Sequence, residues 1–437
     1  MARRLMWRRK RTARRAHCNG RRDAVGFLTH FRRNDRPMKQ LVGLLSAILL
    51  VNIAAAGEPE KAPPTPEALF KVYAWIESGF TVNFDRPNDR QNFGRLFDDR
   101  ANEPLLNQAV VTLERTLAGA ASAFDLGFKL QIMSGSDARY IHSLGLFDRT
   151  TDQILQPDLV EAYLNLHFPV VTEGGLDLKL GKFVTLEGAE TIDPRTNVFY
   201  SHSYIFNFGI PFNHTGALAT WHASGWIDLY GGLTRGVNTS LDDNNDSLAF
   251  HGGIGLNLPE GRLTALATTH VGPETPDNNR NSRYLNDLTI IAKLSKDFTS
   301  ITDLNYIYDE AADASGYGIA QYLVYTLNDL ISIGVRGEIW RDADGFYVAS
   351  FAENDDASDA LRGGAVTLDP RTVGGGRTTY GAVTLGVNIK PPLPKPVTSL
   401  VVRPELRYDR ALNGTHPFHD SSARDQFTAG IDIIFSF

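Results

Sequence analysis

The sequence predicts an all-β chain closed into a transmembrane, antiparallel up-and-down β-barrel of about 16 strands, with 12, 14 and 18 as alternative counts. Three observations predict it. The last segment is patterned as a strand that crosses a bilayer; no apolar run is long enough for a spanning helix; and long and short connections alternate between period-2 segments.

The final segment, Phe427 to Phe437, sets Phe427, Ala429, Ile431, Ile433, Phe435 and Phe437 on one face and small or polar residues on the other. About ten residues of such alternation span a bilayer in a tilted strand. The segment resembles the closing strand of bacterial outer-membrane barrels, in which a terminal Phe is read by the barrel-assembly machinery.

At the other end, Met38 to Ala56 reads as a secretory signal, with Lys39 as a basic start, Leu41 to Ile53 as the apolar stretch and Ala54-Ala55-Ala56 as the cleavage site. The stretch falls short of the roughly 20 apolar residues of a spanning helix. With helices and closed barrels the only spanning solutions, a membrane chain of this composition is a barrel. Residues 1–37 carry 13 Lys or Arg against two Asp and precede Met38, which reads as a mis-assigned start. A basic nucleic-acid or membrane-surface arm and a twin-arginine signal at Arg3-Arg4 are the alternatives. Residues 38–57 are then the signal peptide, 58–69 a periplasmic lead, and 70–437 the barrel.

Strand-like segments follow at 70–84, 107–117, 122–133, 159–168, 175–185, 214–223, 226–234, 247–257, 262–272, 284–295, 298–308, 316–326, 330–340, 377–390, 397–408 and 425–437. Short links such as Ser224-Gly225 and Pro259-Glu260-Gly261 carry turn residues. The long links are 85–106, 134–158, 186–213, 235–246, 273–283, 309–315, 341–376 and 409–424. Eight long and seven short connections suit 16 strands with both termini in the periplasm of a bacterial outer membrane. In 122–133 and 159–168, one face is apolar, and Asp125, Lys129, Glu161, Tyr163, Asn165 and His167 share the other. Unpaired in a dry core those charges would cost several kcal/mol each, so the interior is wet.

Removing residues 1–57 leaves 30 basic against 48 acidic residues, a net charge of about −18. That argues against nucleic acid as a partner, because phosphate binding needs excess Lys and Arg. The only cysteine, Cys18, lies in the removed segment, so the remaining chain has no thiol chemistry.

The link 186–213 is the candidate for a pore constriction. Folded inward, it would set Glu187, Glu190, Asp193 and Arg195 against lumen bases Lys129, Lys179, Arg336, Arg403 and Arg407. The alternative is an outer loop packed on the rim. Glu161-Ala162-Tyr163, Leu178 to Phe183, Glu190, Pro194, Asn197, the Ser201 to Phe208 stretch and Gly209 to Gly216 together resemble the putative β-barrel porin-2 (OmpL-like) family. The resemblance covers most of residues 70–437 and is most specific over 159–223. It implies an outer-membrane porin that passes small hydrophilic solutes or ions, with no catalytic residues and no cofactor. It also implies lipid and lipopolysaccharide as surroundings and homo-trimers as the common assembly of 16-strand porins. The acidic chain hints at cations over anions.

Two other function classes remain open at this level. A structural or adhesive barrel would have a plugged lumen and work through outer loops such as 341–376. A lipid-modifying enzyme would need His202-Ser203 or His214-Thr215 with a positioning partner, which the sequence does not supply. Asp242 to Asp246 offers oxygen ligands for Ca²⁺ but lacks the glycine and terminal glutamate of an EF-hand, and reads as a solvated loop. The sequons at Asn213, Asn238 and Asn413 read as chance.

Overall fold

The computed structural model describes residues 69–118, 123–149, 152–363, 376–394 and 396–437. The N-terminal extension, the signal peptide and residues 58–68 of the periplasmic lead lie outside the described residues. Sixteen strands run in order: β1 Phe70–Asn83, β2 Pro104–Arg115, β3 Asp125–Gly135, β4 Gln156–Phe168, β5 Leu176–Val184, β6 Asn213–Ser224, β7 Ile227–Thr234, β8 Ala249–Asn257, β9 Leu263–Pro273, β10 Ser282–Lys293, β11 Phe298–Asp309, β12 Ala314–Thr326, β13 Ile331–Asp342, β14 Thr378–Ile389, β15 Ser399–Ala411 and β16 Asp425–Ser436. Each pairs antiparallel with its sequence neighbours, and β1 pairs with β16 to close the barrel. Closure leaves no sheet edge, which is what allows strands to meet lipid.

The count of 16 excludes the alternatives, and each expected strand is present within a few residues of its expected bounds. The alternation of connection lengths is less strict than the sequence suggested. The connection 310–313 is shorter than 116–124, because β11 and β12 stay paired out to Asp309↔Ala314.

Alternation sorts the side chains. Val111, Leu130, Ile132, Leu164, Val335, Leu385 and Ile431 point outward and are exposed, while their strand neighbours Thr112, Gln131, Arg336, Thr384 and Asp432 point inward and are buried. Outward Val335 and Leu385 are register partners near the middle of β13 and β14. We expect Leu385→Arg to destabilise the barrel by about 2–4 kcal/mol, the cost of a cation at mid-bilayer on the lipid face. Thr220→Arg, on the lumen face opposite Asp177, should cost far less. Equilibrium unfolding in lipid with urea measures both, and equal costs would contradict this assignment of faces.

Three bulges break the ladder among the described residues, one of them at Ala223 of β6, between His222↔Asp228 and Ser224↔Ile227. Asn107 is the extra residue of β2 between Glu77↔Gln108 and Ser78↔Leu106, and Val160 that of β4 between Gln131↔Glu161 and Ile132↔Leu159. A bulge releases one residue from the ladder, and Asn107 uses that freedom to donate to Phe97 O and Asp137 Oδ1, both at 2.8 Å, tying two long loops to the wall.

Candidate pore constriction

The β5–β6 hairpin continues one step past its strands, with Val184 opposite Asn213 and Thr185 N–H donating to Phe212 O at 3.1 Å. Between these two points the chain leaves the wall and crosses the lumen. Gly188 N donates to Asp287 Oδ1 on β10 (3.0 Å) and Ala189 N to Asp303 Oδ2 on β11 (3.1 Å). Glu190 then meets Arg336 of β13 at 2.7 Å. On the far wall, Arg403 of β15 donates to Pro194 O (2.8 Å) and Asn197 O (2.9 Å). The segment returns through Tyr200 N and Ser201 N to Glu405 (2.9 and 3.2 Å), and through Tyr204 N to Glu338 (2.7 Å).

Local sequence sets this path. Asp193 caps the single 3₁₀ turn Pro194–Thr196 by accepting from Arg195 N. Asn197 closes the same turn, accepting from Thr191 N (2.9 Å) and donating to Thr191 O (2.7 Å). Ser203 Oγ accepts from Phe206 N at 3.1 Å and starts the π turn Ile205–Gly209. The wall is recessed to match. A Cβ on Gly79 would fall 2.2 Å from the Tyr200 ring, and one on Gly334 2.7 Å from Val198.

The electrostatics are those of buried, compensated charge. Arg336 lies between Glu190 and Glu338, Arg403 between Asp432 (2.5 Å) and Glu77 (3.3 Å), and Arg407 between Asp409 (2.8 Å) and Glu338 (3.2 Å). Arg95, from the β1–β2 loop, bridges Asp98 and Asp409, both at 2.6 Å. Burial would raise the Glu190 pKa, but the Arg336 guanidinium and the Ser203 N–H hold it below the usual carboxylate range. Burial pushes His202 down to about 4, so its ring is neutral. Glu187 meets no Lys or Arg among the described residues: burial, with Asp287 nearby, raises it well above the ordinary value.

The nine candidates therefore separate. Glu190, Arg336, Arg403 and Arg407 join one buried network, in which Arg403 and Arg407 hold loop carbonyls rather than loop carboxylates. Asp193 and Arg195 pair with each other at 2.6 Å, and Arg195 lies 3.9 Å over the Trp75 ring. Lys129 pairs with Glu161 of the wall, and Lys179 sits over the Tyr163 ring at 4.7 Å. Asp193, Arg195, Lys129 and Lys179 keep partial solvent access, whereas the other five are buried.

Sequence reasoning missed the acceptors Glu338, Glu405 and Asp409 and the cation Arg95. The first three could have been found, because Arg336-x-Glu338 and Arg403-x-Glu405-x-Arg407-x-Asp409 alternate sign at period 2 on one strand face. It also missed the apolar packing among the long loops. Phe97 lies 4.9 Å from His202, 5.3 Å from Phe206 and 5.8 Å from Phe212, and Tyr204 stacks on Tyr380 at 4.9 Å. The acidic run is turned to protein partners: Asp242 pairs with Arg149, Asp243 with Arg235, and Asn245 Nδ2 donates to Pro273 O.

Solved structures share this architecture. The outer-membrane channel DcaP of Acinetobacter baumannii matches with a TM-score of 0.51 and 12% identity, over 84% of this chain and 97% of that one. An anion-selective porin from Comamonas acidovorans matches at 0.53 and 9%, over 84% and 99%. Pseudomonas putida OprB matches at 0.52 and 12%, over 85% and 95%. At such identities the likeness is one of fold. No curated protein sequence matches the chain. The family model described as "Putative beta-barrel porin-2, OmpL-like" matches residues 70–437, so the chain belongs to that family of outer-membrane porins.

Proposed function

We propose that this porin passes small hydrophilic solutes and ions by passive diffusion along the wall formed by β2–β7, past the tip of the segment 186–212. The observation that carries this is the split of lumen charge. On β13–β16 the lumen-facing charges are buried and held by ion pairs or backbone N–H groups, while on β2–β7 Lys129, Tyr163, Asn165, Asp177 and Lys179 keep solvent access. Glu190, Arg336, Arg403 and Arg407 then anchor the constriction, Glu187 is buried at its start, and Asp193, Arg195, Lys129 and Lys179 face the solute. The long loops lie outside the cell and both termini in the periplasm, with Phe437 at the end read by the assembly machinery, lipid and lipopolysaccharide around the barrel, and trimers as the assembly to test.

Glu114, Asp125, Asp177 and Asp228 line the short-turn half of this wall, which favours cations by the usual rule for rings of side-chain charge. Lys179 opposes them, and it forms no ion pair among the described residues. Single-channel recording in planar bilayers under a KCl gradient tests the reading. We expect stepwise openings with a cation-selective reversal potential, shifted further toward cations by Lys179→Glu. Folded protein that never conducts would refute it.

A plugged barrel is the second reading, favoured by the apolar side chains of the long loops packed inside the lumen. A hydrolase is disfavoured by geometry. His202 Nε2 meets Asn197 Nδ2 at 3.1 Å, Ser203 Oγ accepts from Phe206 N, and no hydrogen bond joins the two side chains among the described residues.

A further inference from the structure

Three histidines on separate strands converge at the long-loop end of the lumen. His214 opens β6, His251 lies near the start of β8, and His270 faces it across the β8–β9 ladder. All three are fully buried, and each offers a ring nitrogen within 4.8 Å of the others'. Ring centroids are 4.4 Å apart for His214–His251 and 4.8 Å for His214–His270.

Second partners fix which nitrogen is free. His214 Nδ1 lies 3.1 Å from Gly236 O and His270 Nε2 lies 2.8 Å from Glu274 Oε1, contacts that only a ring N–H can make. The lone pairs of those rings are therefore on His214 Nε2, beside Thr185 Oγ1 at 3.3 Å, and on His270 Nδ1, which has no partner. A ring N–H given to a carboxylate or a carbonyl is the arrangement that orients metal-binding histidines. The third ring, His251, takes a long contact from Leu186 N–H at 3.4 Å on Nε2, and its Nδ1 has no hydrogen-bond partner.

Glu187 supplies the independent sign of a missing ligand. Its side chain is fully buried, both carboxylate oxygens lack any hydrogen-bond partner, and Oε1 lies 3.9 Å from His251 Nδ1. An orphaned buried carboxylate costs free energy that a bound cation would remove.

We propose that His214, His251, His270 and Glu187 form a binding site for a divalent transition-metal ion of the zinc type, with Glu274 and the Gly236 carbonyl orienting two of the rings. Imidazole donors select such metals over Ca²⁺ and Mg²⁺, which take oxygen ligands. Bonds of about 2.0–2.1 Å to zinc require the nitrogens to draw together and the near-parallel His214 and His270 rings to tilt. The ion would pin the start of the lumen-crossing segment to β6, β8 and β9. None of this depends on whether the barrel conducts.

The test is titration of the detergent-solubilised, heat-modifiable chain with Co²⁺ and Zn²⁺, against a chromophoric chelator. We expect one ion per chain, a tetrahedral Co²⁺ visible spectrum, loss of both on His251→Ala or His270→Ala, and affinity lowered about 10–100-fold by Glu274→Gln. Uptake by the folded chain that is absent, or unchanged in the triple His→Ala variant, would overturn the proposal. If the variants do not fold, X-ray absorption on the zinc-loaded wild type decides. A first shell with several imidazoles supports the site, and one of oxygen alone overturns it.

Discussion

Asp409→Ala should release two long loops from the lumen wall at a cost of about 3–5 kcal/mol, the range for leaving a buried charge without its partner. Asp409 is the single carboxylate between Arg407 of its own strand and Arg95 of the β1–β2 loop, and it also accepts from Tyr204 Oη (3.1 Å) and Gln426 Nε2 (3.3 Å). Without it, two fully buried guanidiniums face each other, with Asp98 and Glu338 as their remaining counter-charges. The loss falls on the loops rather than the sheet, because the β14–β15–β16 ladder is made by backbone groups. Proteolytic nicking within 84–103 and 186–212 should therefore rise steeply while heat-modifiability persists. Arg95→Met in the same chain should recover part of the cost, since it removes one of the stranded cations. Loop protection unchanged in Asp409→Ala would show that apolar contacts alone hold the loops.

The barrel was readable because its rule is local. A strand that meets lipid on one face and a wet or polar interior on the other must alternate, and Phe427 to Phe437 or Val160 to Phe168 shows this without any knowledge of partners. The family resemblance rested on the same stretch, 159–223, that supplies β4, β5, β6 and the crossing segment. What stayed hidden depends on contacts far apart in sequence. Nothing near Glu190 shows that it meets Arg336, 146 residues away, rather than Lys129. Likewise, His214, His251 and His270 are isolated residues until the register of β6 to β9 brings them together. Charge complementarity between loop and wall was the right kind of argument, but it omitted the wall's own carboxylates. Those neutralise Arg403 and Arg407 and leave the loop to bind through its backbone.

Excising residues 186–211 and joining Thr185 to Phe212 through an Asn-Gly turn should raise single-channel conductance several-fold. The join is feasible because Thr185 and Phe212 already extend the β5–β6 ladder, and a two-residue turn matches the twist of an antiparallel pair. The excision removes Ile192, Phe199, Tyr204, Ile205, Phe206 and Ile210 from the lumen, all of them buried in the apolar cluster between the walls. It also uncovers Arg336, Arg403, Arg407, Glu338 and Glu405, which the segment now keeps from water. Glu77, Asp409 and Asp432 stay on the wall beside Arg403 and Arg407, so five acids against three bases would then face the solute, and the reversal potential should move toward cations as conductance rises. Conductance that stays at the wild-type level would mean that the obstruction lies elsewhere, in Phe97 and Leu96 of the β1–β2 loop and Tyr140 and Ile141 of the β3–β4 loop, which pack in the same cluster. Because Glu187 leaves with the segment, zinc affinity should fall in the same variant while the three histidines remain on the wall. That makes the two readings separable: a wider pore with unchanged metal affinity would confirm the constriction and remove Glu187 from the metal site.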